Sequence, residues 1–209
     1  MSYKKSLLLR LEGNLQSWGL HTRTKNRPTE SFPTKSGVIG ILAAALGLNR
    51  GDIQTIKELS SFGMTVYTVR HGTLLNDFHT MRLEKNKFGV SNRWYLADYA
   101  FLVALYGDSQ TVSRCEGALK NPRYSLFLGR KCCVPSKNIF VGTFTDSDSM
   151  VERIRDICKS YSQDGNPEKF QVIREAYDGD YDRVVHDVPI DYQNRVFGSR
   201  CISISYEEI

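Results

Sequence analysis

Two stretches decide how the chain folds: LLLRLEGNLQSWG at Leu7–Gly19 and PTKSGVIGILAAALG at Pro33–Gly47. The first opens on a near-continuous apolar run, which predicts a strand over residues 6–11 that is buried on both faces. Glycines and prolines punctuate residues 13–34, so this segment is predicted to be a loop. A strand, a cationic loop and a helix therefore follow one another at the start of the chain.

The second stretch predicts a helix over residues 35–46. Thr34 or Ser36 would cap its N-terminus, and Gly47 would end it in the left-handed conformation. Small residues recur along this helix, which favours close packing on a sheet.

The periodicity of the remaining sequence predicts further helices over 52–60, 111–119 and 148–161, and strands over 64–70, 95–106, 170–174, 183–188 and 201–206. The order β-α-β, a long polar insertion and β-α-β is typical of a ferredoxin-like α+β core. We expect this core to occupy residues 1–145. A smaller strand-rich C-terminal section, residues 146–209, would pack on it.

The composition is that of a soluble globular protein, with 209 residues, 41% hydrophobic and 24% charged. No apolar run is long enough to span a membrane, and no signal peptide is predicted. The five cysteines are odd in number and lack C-x-x-C spacing, which favours reduced thiols in a cytoplasmic protein.

Charge is distributed unevenly along the chain. Residues 1–50 carry eight Lys/Arg against two Asp/Glu, whereas residues 146–209 carry eight against fourteen. A basic first part and an acidic end favour a protein that offers one side to a polyanion. Chance variation along the chain is the alternative.

The loop before the predicted helix holds four cations, which favours phosphate binding. The backbone amides of Ser36 and Gly37, at the helix start, would add a phosphate nest. A solvated loop is the competing interpretation. The four cations are Arg23, Lys25, Arg27 and Lys35.

Residues 77–95 mix cations with aromatic side chains, as surfaces that bind single-stranded nucleic acid do. Trp94 and Tyr95 are expected in the core. The turn Gly129–Lys131 gives a weaker phosphate-binding signal. The candidate RNA contacts from these two regions are His79, Arg82, Lys85 and Arg130.

The sequence contains no H-E-x-x-H, G-x-S-x-G or Walker A motif. The candidate catalytic histidines are His21, His71, His79 and His186. His21 or His79 with Lys35 is the alternative arrangement for metal-independent RNA cleavage. The acidic cluster at residues 178–182 is interpreted as a solvated turn, so no metal or cofactor is predicted.

The two opening stretches closely resemble the Cas-five family of the RAMP superfamily, in the form found in Cascade, the type I-E CRISPR surveillance complex. Shorter blocks similar to later family motifs follow in the right order: DFHT at 77–80, YLADY at 95–99 and LFLGR at 126–130. The resemblance covers most of residues 7–140 and is loose beyond residue 145.

This resemblance implies an RRM-like, ferredoxin-like RAMP fold, in which the insertion at about 76–95 forms a β-hairpin thumb. It implies a non-catalytic antiviral-defence subunit that grips the 5′ handle of CRISPR RNA and caps the backbone filament. The implied partners are CRISPR RNA, the backbone subunit and the large PAM-reading subunit, with target DNA reached indirectly and no membrane. By transfer, the handle phosphates would contact Arg23, Arg27, Lys35 and the Ser36–Gly37 amides, with Arg82 and Lys85 along the thumb.

Relatives in type I-C systems cut precursor RNA themselves without a metal. The blocks of this chain match the type I-E form better, which favours a non-catalytic protein. A metal-independent endoribonuclease that processes CRISPR repeat RNA is the alternative.

Overall fold

The computed structural model describes residues 5–19, 26–84, 87–161, 169–177 and 179–208. Its helices are α1 Lys35–Leu46, α2 Ile53–Ser60, α3 Ser109–Lys120 and α4 Ser147–Lys159. Its strands are β1 Lys5–Glu12, β2 Leu15–Gln16, β3 Asn26–Arg27, β4 Gly63–Arg70, β5 Thr73–Glu84, β6 Lys87–Ala97, β7 Ala100–Gly107, β8 Phe140–Phe144, β9 Lys169–Ala176, β10 Arg183–Asp191 and β11 Val196–Glu208.

Seven strands form an antiparallel sheet in the order β10-β11-β9-β4-β7-β1-β8. Side chains alternate between the two faces of β1, so Leu7 and Leu9 enter one core cluster and Leu8 the other. All three are fully buried, which confirms the prediction of a strand buried on both faces. The predicted α+β class is confirmed as well.

Three helices cover one face of this sheet and the fourth covers part of the other face. Apolar side chains of α1, α2 and α3 pack against Leu7, Leu9, Val66 and Val103. On the opposite face, Met150, Ile154 and Ile157 of α4 join Leu8. Each such side chain contributes about 1.5–3 kcal/mol when it is removed from water.

Helix α1 has the bounds that the sequence predicts. Thr34 is the N-cap, and its side chain accepts a hydrogen bond from the amide of Gly37. Gly47 ends the helix at φ 76°, a left-handed conformation that glycine adopts without strain. The capping chemistry therefore fixes both ends of the helix along which the candidate site lies.

Strands β5 and β6 form a long antiparallel hairpin, with Thr73 opposite Ala97 and Arg82 opposite Phe88. The short strands β2 and β3 pair with β6. The prediction of one strand over residues 95–106 is wrong, because the chain turns at Asp98, where φ is 61°. Residues 95–97 thus belong to the hairpin and residues 100–107 to the central sheet.

The C-terminal strands continue the central sheet, since β9 pairs with β4 in register from Thr65–Arg174 to Thr68–Gln171. The sheet therefore crosses the boundary expected near residue 145. The division into two sections stays a prediction. Within the described ranges, the helices are all too short or too polar to traverse a lipid bilayer.

Candidate nucleic-acid interface

Three segments that are distant in sequence meet at the root of the hairpin. The guanidinium carbon of Arg130 lies 4.6 Å from the ring centroid of Tyr95, at cation–π distance. Arg130 Nη2 also donates a hydrogen bond to the carbonyl oxygen of Arg27, at 2.9 Å. The turn after the 124–128 segment, the base of β6 and the strand β3 are thus joined through one arginine.

Strand β3 brings two further arginines together. It runs parallel to β6 and places Arg27 in register with Arg93, while Asn92 Nδ2 donates to Asn26 Oδ1 at 3.2 Å. We call Arg27, Arg93 and Arg130 the arginine cluster. In the part of the chain that the structure describes, no carboxylate forms an ion pair with any of the three.

The arginine cluster also holds unused hydrogen-bonding capacity. Nε of Arg93 and Nη1 of Arg130 are buried, and the described residues supply no acceptor for either atom. The hydroxyl of Ser91, on the same strand, is likewise buried without a partner. A buried donor without an acceptor costs about 1–3 kcal/mol, so an anionic ligand that rearranged these side chains would recover free energy.

A tight turn holds Arg130 in place through its backbone. Gly129 has φ 93°, and a Cβ on this residue would lie 1.8 Å from the carbonyl oxygen of Ser17. Ser17 N donates to Leu128 O at 3.1 Å, and Cys133 N donates to Arg130 O at 2.8 Å. Only glycine permits this approach, and the approach positions Arg130 and the exposed residue that follows it, Lys131.

A groove extends from this turn along α1. A hollow of about 200 Å³ beside Trp18 and Arg130 shares its lining with a groove of about 680 Å³ that follows the helix. Trp18 is fully buried against the start of the helix, where a Cβ on Gly37 would lie 2.7 Å from its ring. The residues common to hollow and groove are Ser36, Gly37, Gly129 and Tyr192.

Comparison with known proteins identifies the family. The family model Cas_Cas5d, described as CRISPR-associated protein (Cas_Cas5), matches residues 6–202. The chain belongs to the Cas5 family. A curated relative, the CRISPR system Cascade subunit CasD of Escherichia coli strain K12, is 35% identical over 164 residues, which are 68% of this chain and 72% of the relative. These matches confirm the resemblance seen in the two opening stretches.

Two solved structures resemble this Cas5-family chain over almost its whole length. One, described as the crystal structure of a Cas protein, is 32% identical with a TM-score of 0.72 and covers 96% of this chain and 94% of its own. The other, described as a CRISPR RNA-guided surveillance complex, is 28% identical with a TM-score of 0.80 and covers 98% and 90%.

Lys35 lies in a buried ion network and not in the interface. Its Nζ is 2.9 Å from Glu175 Oε1, and Arg200 Nη1 is 3.4 Å from the same oxygen. Arg200 also binds Asp187 through two nitrogens, at 2.7 and 2.9 Å. The four side chains are 5–7% exposed. We therefore correct the prediction that Lys35 binds a phosphate, because its charge is neutralised and hidden inside the chain.

The phosphate nest predicted at the start of α1 is corrected for one of its two amides. Gly37 N donates to Thr34 Oγ1 at 3.3 Å, so this amide already has a partner within the chain. Lys35 N donates to Asp187 Oδ2 at 2.7 Å, and a carboxylate of the chain itself thus lies at the positive end of the helix. Ser36 lines the groove, and phosphate binding by its amide stays a prediction.

The other predicted contacts lie on the hairpin or outside the described residues. His79 contacts the carboxylate of Asp77 through Nε2, and Arg82 is exposed on the opposite face of the hairpin. Their contact with RNA stays a prediction. The residues outside the described ranges are His21, Arg23, Lys25 and Lys85.

His79 and Lys35, one of the pairs considered for RNA cleavage, do not meet in the structure. Glu175 holds the Lys35 ammonium in the buried ion network. His79 has Asp77 as its described partner. Among the described residues, no cluster of three or more His, Cys, Asp and Glu side chains could bind a metal ion.

Sequence reasoning did not select four residues of the interface. Of the two arginines, Arg93 follows from strand register and Arg50 lies in the turn between α1 and α2. The two tyrosines come from separate loops without a motif. The four are Arg50, Arg93, Tyr124 and Tyr192.

Proposed function

We propose that this chain is a non-catalytic, RNA-binding subunit of a type I-E CRISPR surveillance complex. It grips the 5′ handle of the CRISPR RNA and caps one end of the backbone filament, in the cytoplasm. The arginine cluster at the root of the hairpin carries this proposal. Three guanidinium groups without a described carboxylate partner are a site for phosphates, to which arginine binds through paired N–H groups.

The relatives supply the assembly in which this site would work. CasD is named as a Cascade subunit, and the structure with the higher TM-score is described as an RNA-guided surveillance complex. We propose that the chain likewise assembles with CRISPR RNA, a backbone subunit and a large PAM-reading subunit. Target DNA is then reached only through these partners.

The topology supports a ferredoxin-like RAMP core. Strands β8, β1, β7 and β4 are adjacent in that order, and α1 and α3 connect β1 to β4 and β7 to β8. This order supports a ferredoxin-like unit, whose antiparallel strands are expected in the same arrangement. The β5–β6 hairpin leaves the core between β4 and β7, and we propose that it is the thumb that reaches over the guide RNA.

RNA binding is tested with the purified chain and repeat RNA of its own CRISPR array. A labelled handle oligonucleotide and a scrambled one are compared by native gel across a series of salt concentrations. We expect tighter binding to the handle and a loss of affinity as salt rises, because phosphate contacts release counterions. Equal weak binding to both oligonucleotides at low salt would overturn the handle assignment.

The matched variants are Arg130→Ala and Arg153→Ala. Arg153 is an exposed arginine of α4, on the other face of the sheet. We expect Arg130→Ala to weaken handle binding about tenfold and to reduce the salt slope by about one. Arg153→Ala should leave both unchanged. Equal effects of the two variants would show that binding is unspecific attraction to a basic protein.

RNA cleavage is the alternative function. The contact between His79 and Asp77 favours it, since a carboxylate can orient an imidazole as a general base. The same mixtures, held in EDTA and run on a denaturing gel, test it. We expect intact RNA at high protein excess. A discrete product that His79→Ala abolishes would make the chain a processing nuclease.

A further inference from the structure

Two adjacent cysteines follow the arginine cluster in the sequence. Cys132 is exposed, whereas Cys133 is fully buried, and their sulfur atoms lie 4.0 Å apart. They are the only neighbouring pair among the five cysteines of the sequence. A dithiol thus lies directly beyond the turn that holds Arg130.

The fold explains only one of these two cysteines. Cys133 belongs to the main core cluster, where it fills space as a small apolar side chain. Cys132 is exposed and lies outside that cluster, with its Sγ 3.6 Å from the hydroxyl of Tyr95. An exposed thiol is therefore better explained here by its chemistry than by packing.

The two thiols differ in reactivity. Susceptibility to oxidation increases with exposure, so an oxidant in solution reaches Cys132 first. Burial raises the pKa of the Cys133 thiol to about 12, and Cys133 therefore stays protonated at neutral pH. Cys132 has the position of an attacking thiol, and Cys133 has that of the thiol that resolves the first product.

Hydrogen peroxide is the oxidant that completes this chemistry. The Cys132 thiolate attacks one peroxide oxygen, the O–O bond breaks, and the hydroxide that departs leaves as water with the proton of the Cys132 thiol. The sulfur of Cys133 then attacks the sulfur of the Cys132 sulfenic acid. The S–O bond breaks, and hydroxide leaves as water with the Cys133 proton. Two thiols and one peroxide thus give one disulfide and two waters.

A disulfide between neighbours in the chain is strained. Across the trans peptide between Cys132 and Cys133 the Cα atoms are about 3.8 Å apart, below the roughly 4.4–6.8 Å that disulfides usually join. Strained disulfides are reduced easily, and disulfides of cytoplasmic proteins are usually transient. Such a bond suits a reversible change of state.

Ring closure acts on the backbone of the 128–133 turn. The peptide between the two cysteines contains the Cys133 amide, which donates to Arg130 O at 2.8 Å. Cys133 O accepts a hydrogen bond from Leu128 N, also at 2.8 Å. Because the sulfur atoms must move from 4.0 Å to bonding distance, this peptide rotates and both hydrogen bonds of the turn weaken.

The side chain of Cys132 is also linked to Arg130. Its Sγ lies 3.6 Å from the hydroxyl of Tyr95, and the ring of Tyr95 supports the Arg130 guanidinium at 4.6 Å. A sulfur that bonds to Cys133 turns away from this hydroxyl. The backbone support and the aromatic support of Arg130 therefore both depend on the state of the two thiols.

We propose that Cys132 and Cys133 form a peroxide-sensitive dithiol, whose oxidation to a disulfide opens the 128–133 turn and displaces Arg130 from Tyr95. The consequence for RNA rests on the proposed function. The reduced chain has a complete arginine cluster and binds the handle. In the oxidised chain Arg130 leaves the cluster, and handle affinity falls.

Disulfide formation is tested on the purified chain treated with hydrogen peroxide. Free thiols are blocked with iodoacetamide under denaturing conditions, and the peptide that contains Cys132 and Cys133 is analysed by mass spectrometry. We expect this peptide to lose two hydrogen atoms and to escape alkylation, and dithiothreitol should reverse both changes. Cys201→Ser is the control and should behave as wild type, because Cys201 lies on β11 and not in the turn.

Opening of the turn is measured without RNA. Hydrogen exchange at the amides of Leu128 and Cys133 reports the two hydrogen bonds of the turn. We expect peroxide to accelerate exchange at both amides by about tenfold in wild type and to leave it unchanged in Cys132→Ser, in which this disulfide cannot form. Cys132 is exposed, so the variant should keep the fold, and thermal unfolding checks this.

Handle RNA gives the functional readout. We expect peroxide to weaken handle binding by wild type about tenfold, the same loss as for Arg130→Ala. Peroxide should not change the affinity of Cys132→Ser. It should also not weaken Arg130→Ala further, because that variant already lacks the guanidinium that the disulfide displaces.

The outcomes separate the dithiol from the handle assignment. Free thiols after peroxide, a sulfinic acid at Cys132 beside a free Cys133, or a disulfide between two chains would overturn the dithiol proposal. Unchanged exchange in the oxidised chain would overturn it as well. If the disulfide opens the turn and handle affinity stays the same, the dithiol stands and the arginine cluster is not the handle site. If reduced wild type binds no handle RNA, the proposed function is wrong, and exchange at the turn still decides about the dithiol.

Discussion

The buried ion network and the arginine cluster are both cationic groups close to α1, but they are neutralised differently. In the network, Lys35 and Arg200 face Glu175 and Asp187, and all four side chains are hidden from solvent. In the arginine cluster, the described residues offer Arg130 only an aromatic face and a backbone carbonyl. The buried ion network contains its own counter-charges. In the arginine cluster, the counter-charges would come from a ligand.

This difference teaches how to interpret a basic stretch of sequence. A cation whose carboxylate partner lies within the chain contributes to the fold, because removal of either partner strands a buried charge. A cation that the chain leaves without a partner is available for phosphate. Mutation of the buried ion network should therefore lower the free energy of unfolding, whereas mutation of the arginine cluster should weaken RNA binding.

The largest effect is expected for Arg200→Met. The variant leaves Glu175 and Asp187 with a single buried cation between them. We expect the free energy of unfolding in urea to fall by about 3–5 kcal/mol, the usual cost of breaking a buried ion pair from one side. Arg153→Met, on exposed α4, should change it by less than about 0.5 kcal/mol. Equal small losses would mean that the network adds little to stability.

A second prediction concerns the backbone that positions the arginine cluster. Gly129→Ala places a Cβ 1.8 Å from Ser17 O at a positive φ, whereas Gly179→Ala meets the same kind of φ, 82°, with no atom within 4 Å. We expect a loss of about 2–4 kcal/mol for the first and about 1 kcal/mol for the second. Handle binding should weaken only in Gly129→Ala, because Arg130 moves away from Tyr95. Identical behaviour of the two variants would refute a positioning role for this turn.

Much of the fold follows from local sequence. Helix α1 has the predicted bounds because Thr34 and Gly47 are strong caps on a helical run. The division between β6 and β7 could not be predicted, because apolar residues continue on both sides of Asp98 and no Gly or Pro marks that turn. A positive φ at an aspartate has no unique sequence signature.

The candidate site was predictable only in part. Arg130 follows from its place in a turn next to a glycine. Lys35 was assigned to RNA because it stands at a helix start, but its partner Glu175 is 140 positions away along the chain. Pairing across such a separation depends on the register of the C-terminal strands, which residue patterns do not supply. The groove likewise needs Tyr192 and α1 in one place, which only the folded chain provides.

The smallest change in stability is expected at Glu116, which pairs with cations of the chain but is more exposed than the buried ion network. Its side chain is 23% exposed, and hydrogen bonds from Lys120, Lys5 and Thr143 lower its pKa to about 2. Since this pKa is below the ordinary value near 4.5 of the unfolded chain, the stabilisation is complete above about pH 5. It disappears as the pH falls toward 2.

We therefore expect Glu116→Gln to cost about 1–2 kcal/mol of unfolding free energy at pH 7, a typical value for partly exposed charged hydrogen bonds. The difference from wild type should shrink between pH 4.5 and pH 2.5 in urea titrations. Glu152→Gln, at an exposed position of α4, serves as the control and should show no such pH dependence. A constant difference across the range would mean that shape and not charge links α3 to β1 and β8. In that case the partly exposed ion pairs of Glu116 would not stabilise the fold through their charges. Only buried cations such as those of the ion network would then contribute to stability through charge.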